Sequence, residues 1–115
     1  MGREGLCLEP RHERLVREIL GRHVADREVW AFGSRVAGRP RRYSDLDLVI
    51  LGGTPLPPRV RSKLAEAFEE SDLPFRVDVL EWVSLDEGFQ QIIRAGHAVL
   101  QHPPARAGAA RKAAG

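Results

Sequence analysis

The sequence predicts an α/β (α+β) domain, a small mixed sheet of three to four strands with helices packed on it. Three observations predict it. Apolar residues recur at helical spacing in three segments, around 15–20, 60–68 and 89–93. Short apolar runs, Val29–Phe32, Asp45–Leu51 and Phe75–Trp82, alternate with those segments. The 115 residues suffice for a single core, and hence for one domain.

The elements follow in order. Residues 1–9 read as a loose lead-in. Pro10 suits a first helical turn, where its missing N–H is no loss. Leu15, Val16, Ile19 and Leu20 form the apolar face of that helix, and Gly21 places its end near residues 20–24. Val29–Phe32 is a short buried strand. Residues 33–44, rich in Gly, Pro and Arg, form a turn, and Asp45–Leu51 is a second strand stopped by Gly52-Gly53-Thr54-Pro55. The two strands can pair antiparallel. Pro57-Pro58 opens a helix with Val60, Leu64, Ala67 and Phe68 as its stripe. Pro74 separates it from the third strand, Phe75–Trp82, which should run parallel to the second because a helix joins them. Ser84 and Glu87 read as a capping box for a last helix with Phe89, Ile92 and Ile93 on one face and Gly96 as its stop. Ala98-Val99-Leu100 reads as a short edge strand or an extended tail. The domain spans 1–103, and 104–115 reads as a disordered basic tail.

Composition narrows the function classes. With 43% hydrophobic and 30% charged residues, the chain reads as a soluble globular protein, and no apolar run is long enough to cross a bilayer. Cys7 stands alone, so an internal disulfide is excluded and a reducing cytoplasm fits. The net charge of +2 resides in the tail. Setting aside Arg106, Arg111 and Lys112 leaves 15 basic against 16 acidic residues, a net charge of −1. The folded part therefore does not read as a binder of nucleic-acid backbone.

The chemistry concentrates in one stretch. Gly33-Ser34 closes the first strand, ten residues follow, and Asp45-Leu46-Asp47 opens the second. In a strand, residues two apart share a face and lie roughly 7 Å apart along the chain, so both carboxylates aim the same way. Two like charges repel there unless a cation sits between them. Asp78, set between Val77 and Val79, is a costly mid-strand placement that lets a third carboxylate reach the same point. Glu81 competes for that role but faces the other side of the strand. Three convergent carboxylates suit Mg²⁺, and two such ions would clamp the attacking and leaving oxygens of a phosphoryl displacement. Gly33 lets a phosphate approach its backbone, and the Ser34 hydroxyl can donate to it. Arg35, Arg39, Arg41 and Arg42 could neutralise a triphosphate.

Gly33-Ser34, ten residues, then Asp45-Leu46-Asp47 resembles the signature of the minimal nucleotidyltransferase (MNT) proteins of the DNA polymerase β superfamily, over residues from about 10 to 100. The resemblance implies a polymerase β-like nucleotidyltransferase fold and transfer of a nucleoside monophosphate from ATP or another NTP, with release of pyrophosphate. It implies that Gly33 and Ser34, with Arg35 and Arg42, hold the triphosphate. Asp45, Asp47 and Asp78 would be the catalytic acids and the ligands of two Mg²⁺ ions. Members of this size are similar to the antitoxin partner of HEPN-domain RNase toxins, which adenylylates a tyrosine of the toxin. The larger relatives carry further domains for their second substrate, and no room for one is expected here, so a partner protein would present the acceptor hydroxyl. Two alternatives stay open: an MNT-fold module that neutralises a partner by masking it, and an adenylyltransferase acting on a small molecule such as an aminoglycoside.

Weaker signals have simpler readings. His12 and His23 share the helix face of Val16 and Ile19 and read as boundary residues. His97 and His102 lack acidic or cysteine company, and no zinc spacing is present. Trp30 reads as core. Trp82 ends the third strand and could stack on a base or pack at the boundary. Apolar residues on the first and last helices leave room for a homo-oligomeric contact.

Overall fold

A computed structural model describes residues 6–38 and 44–103. In chain order these form α1 (Pro10–His23), β1 (Val29–Phe32), the single turn α2 (Ser34–Ala37), β2 (Leu46–Ile50), α3 (Pro58–Glu69), β3 (Val77–Glu81), a 3₁₀ turn (Trp82–Ser84), α4 (Glu87–Ala95) and β4 (His97–Gln101). The sheet order is β3-β2-β1-β4. β1 runs antiparallel to both β2 and β4, whereas β2 and β3 are parallel, as their connecting helix requires. The segment 97–101 is thus an edge strand rather than a tail.

Strand alternation splits the sheet into two faces. Val29 and Ala31 of β1, Leu46, Leu48 and Ile50 of β2, and Ala98 and Leu100 of β4 enter one core. There they meet Val16, Ile19 and Leu20 of α1 and Leu64 and Phe68 of α3. Phe32 and Val49 enter a smaller core on the other face with Ile93 of α4, flanked by Trp30, Leu80, Trp82 and Phe89. Trp30 stacks on His97 with ring centroids 3.8 Å apart and meets the edge of Trp82 at 5.5 Å.

Three expectations need correction. The lead-in is not loose from residue 6 onward: Leu6 and Leu8 are buried in the main core, and the Cys7 N–H donates to the Arg35 carbonyl at 2.7 Å. The two leucines one residue apart are the period-two pattern of an extended segment. α1 ends at His23, within the expected 20–24. The Gln101 amide serves that end by donating to the carbonyls of Val24 and Arg27. The cap of α4 is Asp86, which accepts from the Phe89 N–H at 2.8 Å, because Ser84 closes the 3₁₀ turn. Ile92 does not join Phe89 and Ile93, and it is 68% exposed.

Glu81 has a structural task. Its carboxylate accepts from the Leu56 N–H at 2.6 Å and from Arg61 at 3.0 Å, tying the connection into α3 to the end of β3. The side chain is 10% exposed and Leu56 is buried. Glu81→Ala leaves that N–H without its acceptor, an expected loss of about 1–3 kcal/mol, readable in a chemical melt. Among the described residues, no helix is long and apolar enough to cross a membrane. The segment 104–115, read as a basic tail, lies outside the described residues.

Candidate active site

Strand register assembles the site. Phe32, the last residue of β1, pairs with Asp47 of β2, so the chain leaves β1 directly beside that carboxylate. Asp47 in turn pairs with Asp78 of the parallel strand β3, which puts the two side chains on the same face. That face is the α4 side, because the intervening Leu46, Leu48, Val77 and Val79 point into the main core. Asp45 is exposed and lies just before β2, which starts at Leu46 rather than at residue 45.

The bend at Gly33 needs a glycine for two reasons. Its φ is 85°, the left-handed region, and a Cβ there would overlap the Asp47 carboxylate. The backbone of the Gly-Ser turn is therefore in contact range of the acid. α2 follows as one turn, with the Gly33 carbonyl accepting from the N–H groups of Val36 and Ala37.

Electrostatics register the crowding. Partial burial raises the Asp47 carboxyl, and the charges of Asp78 and then Asp45 raise it further. Asp78 pairs at 3.1 Å with Arg76, two residues before it and just ahead of β3, and the Asp78 side chain is 41% exposed. The hydrogen bond and charge of Asp78, with a contribution from Asp45, stabilise the Arg76 cation.

The donor set fits Mg²⁺ in its chemistry: three hard carboxylates on neighbouring positions, one of them raised by burial and by the charges of the other two. Among the described residues, no three acidic, histidine or cysteine side chains have closed to the spacing of a metal site. Asp78 is turned toward Arg76 instead.

The arginines separate. Arg35 is buried, and its guanidinium donates to the carbonyls of Ser44 at 3.1 Å and Cys7 at 3.0 Å while lying 4.3 Å above the Phe75 ring. Arg42, with Arg39 and Arg41, lies outside the described residues. Sequence reasoning missed both the Arg35 clasp and the Arg76–Asp78 pair. The i, i+2 spacing of Arg76 and Asp78 was a readable signal for the second, whereas the long-range partners of Arg35 left no local pattern.

The raised Asp47 carboxyl carries a stability prediction. The folded chain keeps this proton to higher pH than the unfolded chain does. Asp47 therefore costs no stability below the ordinary carboxylate range, and stability falls as pH rises from there through its folded value. Asp47→Asn should melt higher than the parent at pH 7 without divalent ions, by no more than about 5 °C, and the gap should vanish below roughly pH 4. A lower melting point at pH 7 would contradict the crowding.

The sheet with its helices has the polymerase β-like nucleotidyltransferase fold. It matches a solved toxin–antitoxin complex with AMP-PNP at a TM-score of 0.66 and 24% identity, over 80% of this chain and 74% of that one. A solved complex of a tri-AMPylated HEPN toxin from Shewanella oneidensis with its MNT antitoxin matches at a TM-score of 0.54 and 20% identity, over 76% of this chain and 71% of that one. The family model for the nucleotidyltransferase domain matches residues 13–100, and the chain belongs to that family. It is also 52% identical over 87 residues, 76% of each chain, to a protein of Haemophilus influenzae described as a probable protein adenylyltransferase MntA.

Proposed function

We propose that the chain is an antitoxin that silences a HEPN-type RNase toxin by transferring AMP from ATP to a tyrosine hydroxyl of that toxin. The observation that carries this reading is the Asp47–Asp78 pairing on one sheet face with the Gly33 bend pressed against Asp47. The similarity to a probable protein adenylyltransferase and to antitoxins solved with their toxins supports the choice of acceptor.

In this mechanism Gly33 and Ser34 seat the triphosphate. Asp45, Asp47 and Asp78 would hold two Mg²⁺ ions, which when bound neutralise triphosphate charge and make the acceptor hydroxyl more acidic. Asp78 takes up the proton of that hydroxyl. The acceptor oxygen bonds to the α-phosphorus as the bond to the bridging oxygen breaks, and pyrophosphate leaves. Positioning and electrostatics supply the rate. Asp78 stands on the edge strand β3, and its side chain is 41% exposed. An acceptor segment of a partner protein can reach it there without displacing part of the sheet.

Incubation with α-labelled ATP, Mg²⁺ and the cognate toxin tests the reading. Label that stays on the toxin through a denaturing gel, with loss of its RNase activity, is expected. Neutralisation without label, surviving the double substitution Asp45→Asn and Asp47→Asn, would instead identify a masking protein.

A further inference from the structure

We infer that Arg35 is a positioning residue that sets the placement of the metal-binding acids without touching the nucleotide. The inference rests on the nucleotidyltransferase reading of the site. Arg35 sits in α2, one residue after Ser34, and a cation there would be expected on the triphosphate. Two of its donors are instead taken up by backbone carbonyls. Nε donates to the carbonyl of Ser44, the residue before Asp45. Nη1 donates to the carbonyl of Cys7, whose own N–H returns a bond to the Arg35 carbonyl, so the two residues are clasped at two points. The guanidinium lies over Phe75, itself met edge-on by His12 of α1 at 5.6 Å.

Phe75 leads into β3. The next carbonyl, that of Arg76, accepts from the Leu46 N–H at 2.8 Å, and the Arg76 side chain pairs with Asp78. One buried guanidinium thus joins the lead-in, the chain just before Asp45 and the chain just before Asp78. Its planar fork reaches two carbonyls at once while its face covers a ring, which a lysine cannot reproduce. Groups behind a metal's ligands orient those ligands, and their loss typically costs about 10–100-fold in metal affinity.

The test is Mn²⁺ binding, followed by electron paramagnetic resonance in the presence of AMP-PNP, for the full chain and for Arg35→Lys and Phe75→Leu. Nucleotide affinity without divalent ions is measured alongside. Both substitutions should weaken Mn²⁺ at least about tenfold and leave metal-free nucleotide affinity unchanged. Arg35→Lys keeps the charge, so a merely electrostatic role predicts little change in either quantity and overturns the inference. Weakened metal-free nucleotide binding in Arg35→Lys, with Mn²⁺ unchanged, makes Arg35 a phosphate ligand and overturns it too. Should Arg35→Lys fail to fold, Phe75→Leu decides: unchanged Mn²⁺ affinity there refutes the bracing. If the parent chain itself binds no Mn²⁺ with the nucleotide, the reading of the acids fails. If parent and variants bind alike, only the role of Arg35 does.

Discussion

Asp47→Asn is expected to reduce transfer of labelled AMP on the order of 10³-fold while leaving the fold intact. The substitution is isosteric and removes only the charge. Asp47 is the central acid of the three: its neighbours on both sides are carboxylates, and the Gly33 backbone abuts it. On the proposed reading, a divalent ion would lose with that charge the ligand shared between the strand pair and the bend. Asp45 is exposed and one residue outside the regular strand, so Asp45→Asn should cost less than its neighbour does. The same Asp47→Asn protein should melt at or above the parent temperature without metal. Lost transfer together with gained stability is the signature of a site built at the expense of the fold. Transfer within about tenfold of the parent would remove Asp47 from the chemistry.

The second large effect is expected at Gly33. An alanine there must hold a left-handed φ of 85° and place its methyl group in the space of the Asp47 carboxylate. With ψ at −157° this backbone lies in a region open essentially to glycine alone, and holding it costs on the order of 1–3 kcal/mol. Gly38 is a partial control: it shares the φ of 85° but has ψ 15°, the left-handed helical region, and no atom lies within 4 Å of the position its Cβ would take. Gly38→Ala should therefore show only the milder cost of a left-handed helical residue, roughly 1–2 kcal/mol. Gly33→Ala should show a larger backbone cost plus the displacement of Asp47, and it should reduce transfer on the order of 10²-fold or more. Denaturation midpoints and single-turnover rates of the two variants check this. Equal losses of stability and of rate would mean that the bend does not press on the acid.

The sequence made much of this architecture legible because the informative features are local. The helical period of Leu15–Leu20 survives because α1 buries one face, and the apolar runs of Val29–Phe32 and Leu48–Ile50 survive because β1 and β2 are covered on both faces. Parallel pairing of β2 with β3 followed from the helix between them. The proximity of Gly33 to Asp47 could be anticipated because the end of one strand lies beside the start of its antiparallel neighbour. Long-range features were hidden. Arg35 reads as one more cation in an arginine-rich loop, and only the folded chain places it under Phe75 and against Cys7. Leu6 and Leu8 look like a two-residue accident until the space beside α2 is seen to need them. The Asp86 cap was obscured by Ser84, an equally good capping residue displaced by a 3₁₀ turn that propensity does not announce. Ile92 belongs to the helical stripe by spacing, yet it is left largely exposed.

The central claim is that the acids of β2 and β3 and the bend after β1 form one nucleotide–metal site. Paramagnetic broadening of backbone amide signals by Mn²⁺ with AMP-PNP measures that directly. Signals of Gly33, Ser34, Asp45, Asp47 and Asp78 should broaden first and together, while those of α1 and α3 stay sharp. Broadening centred on another surface, or broadening at Asp45 and Asp47 that leaves Gly33 and Asp78 untouched, would contradict it.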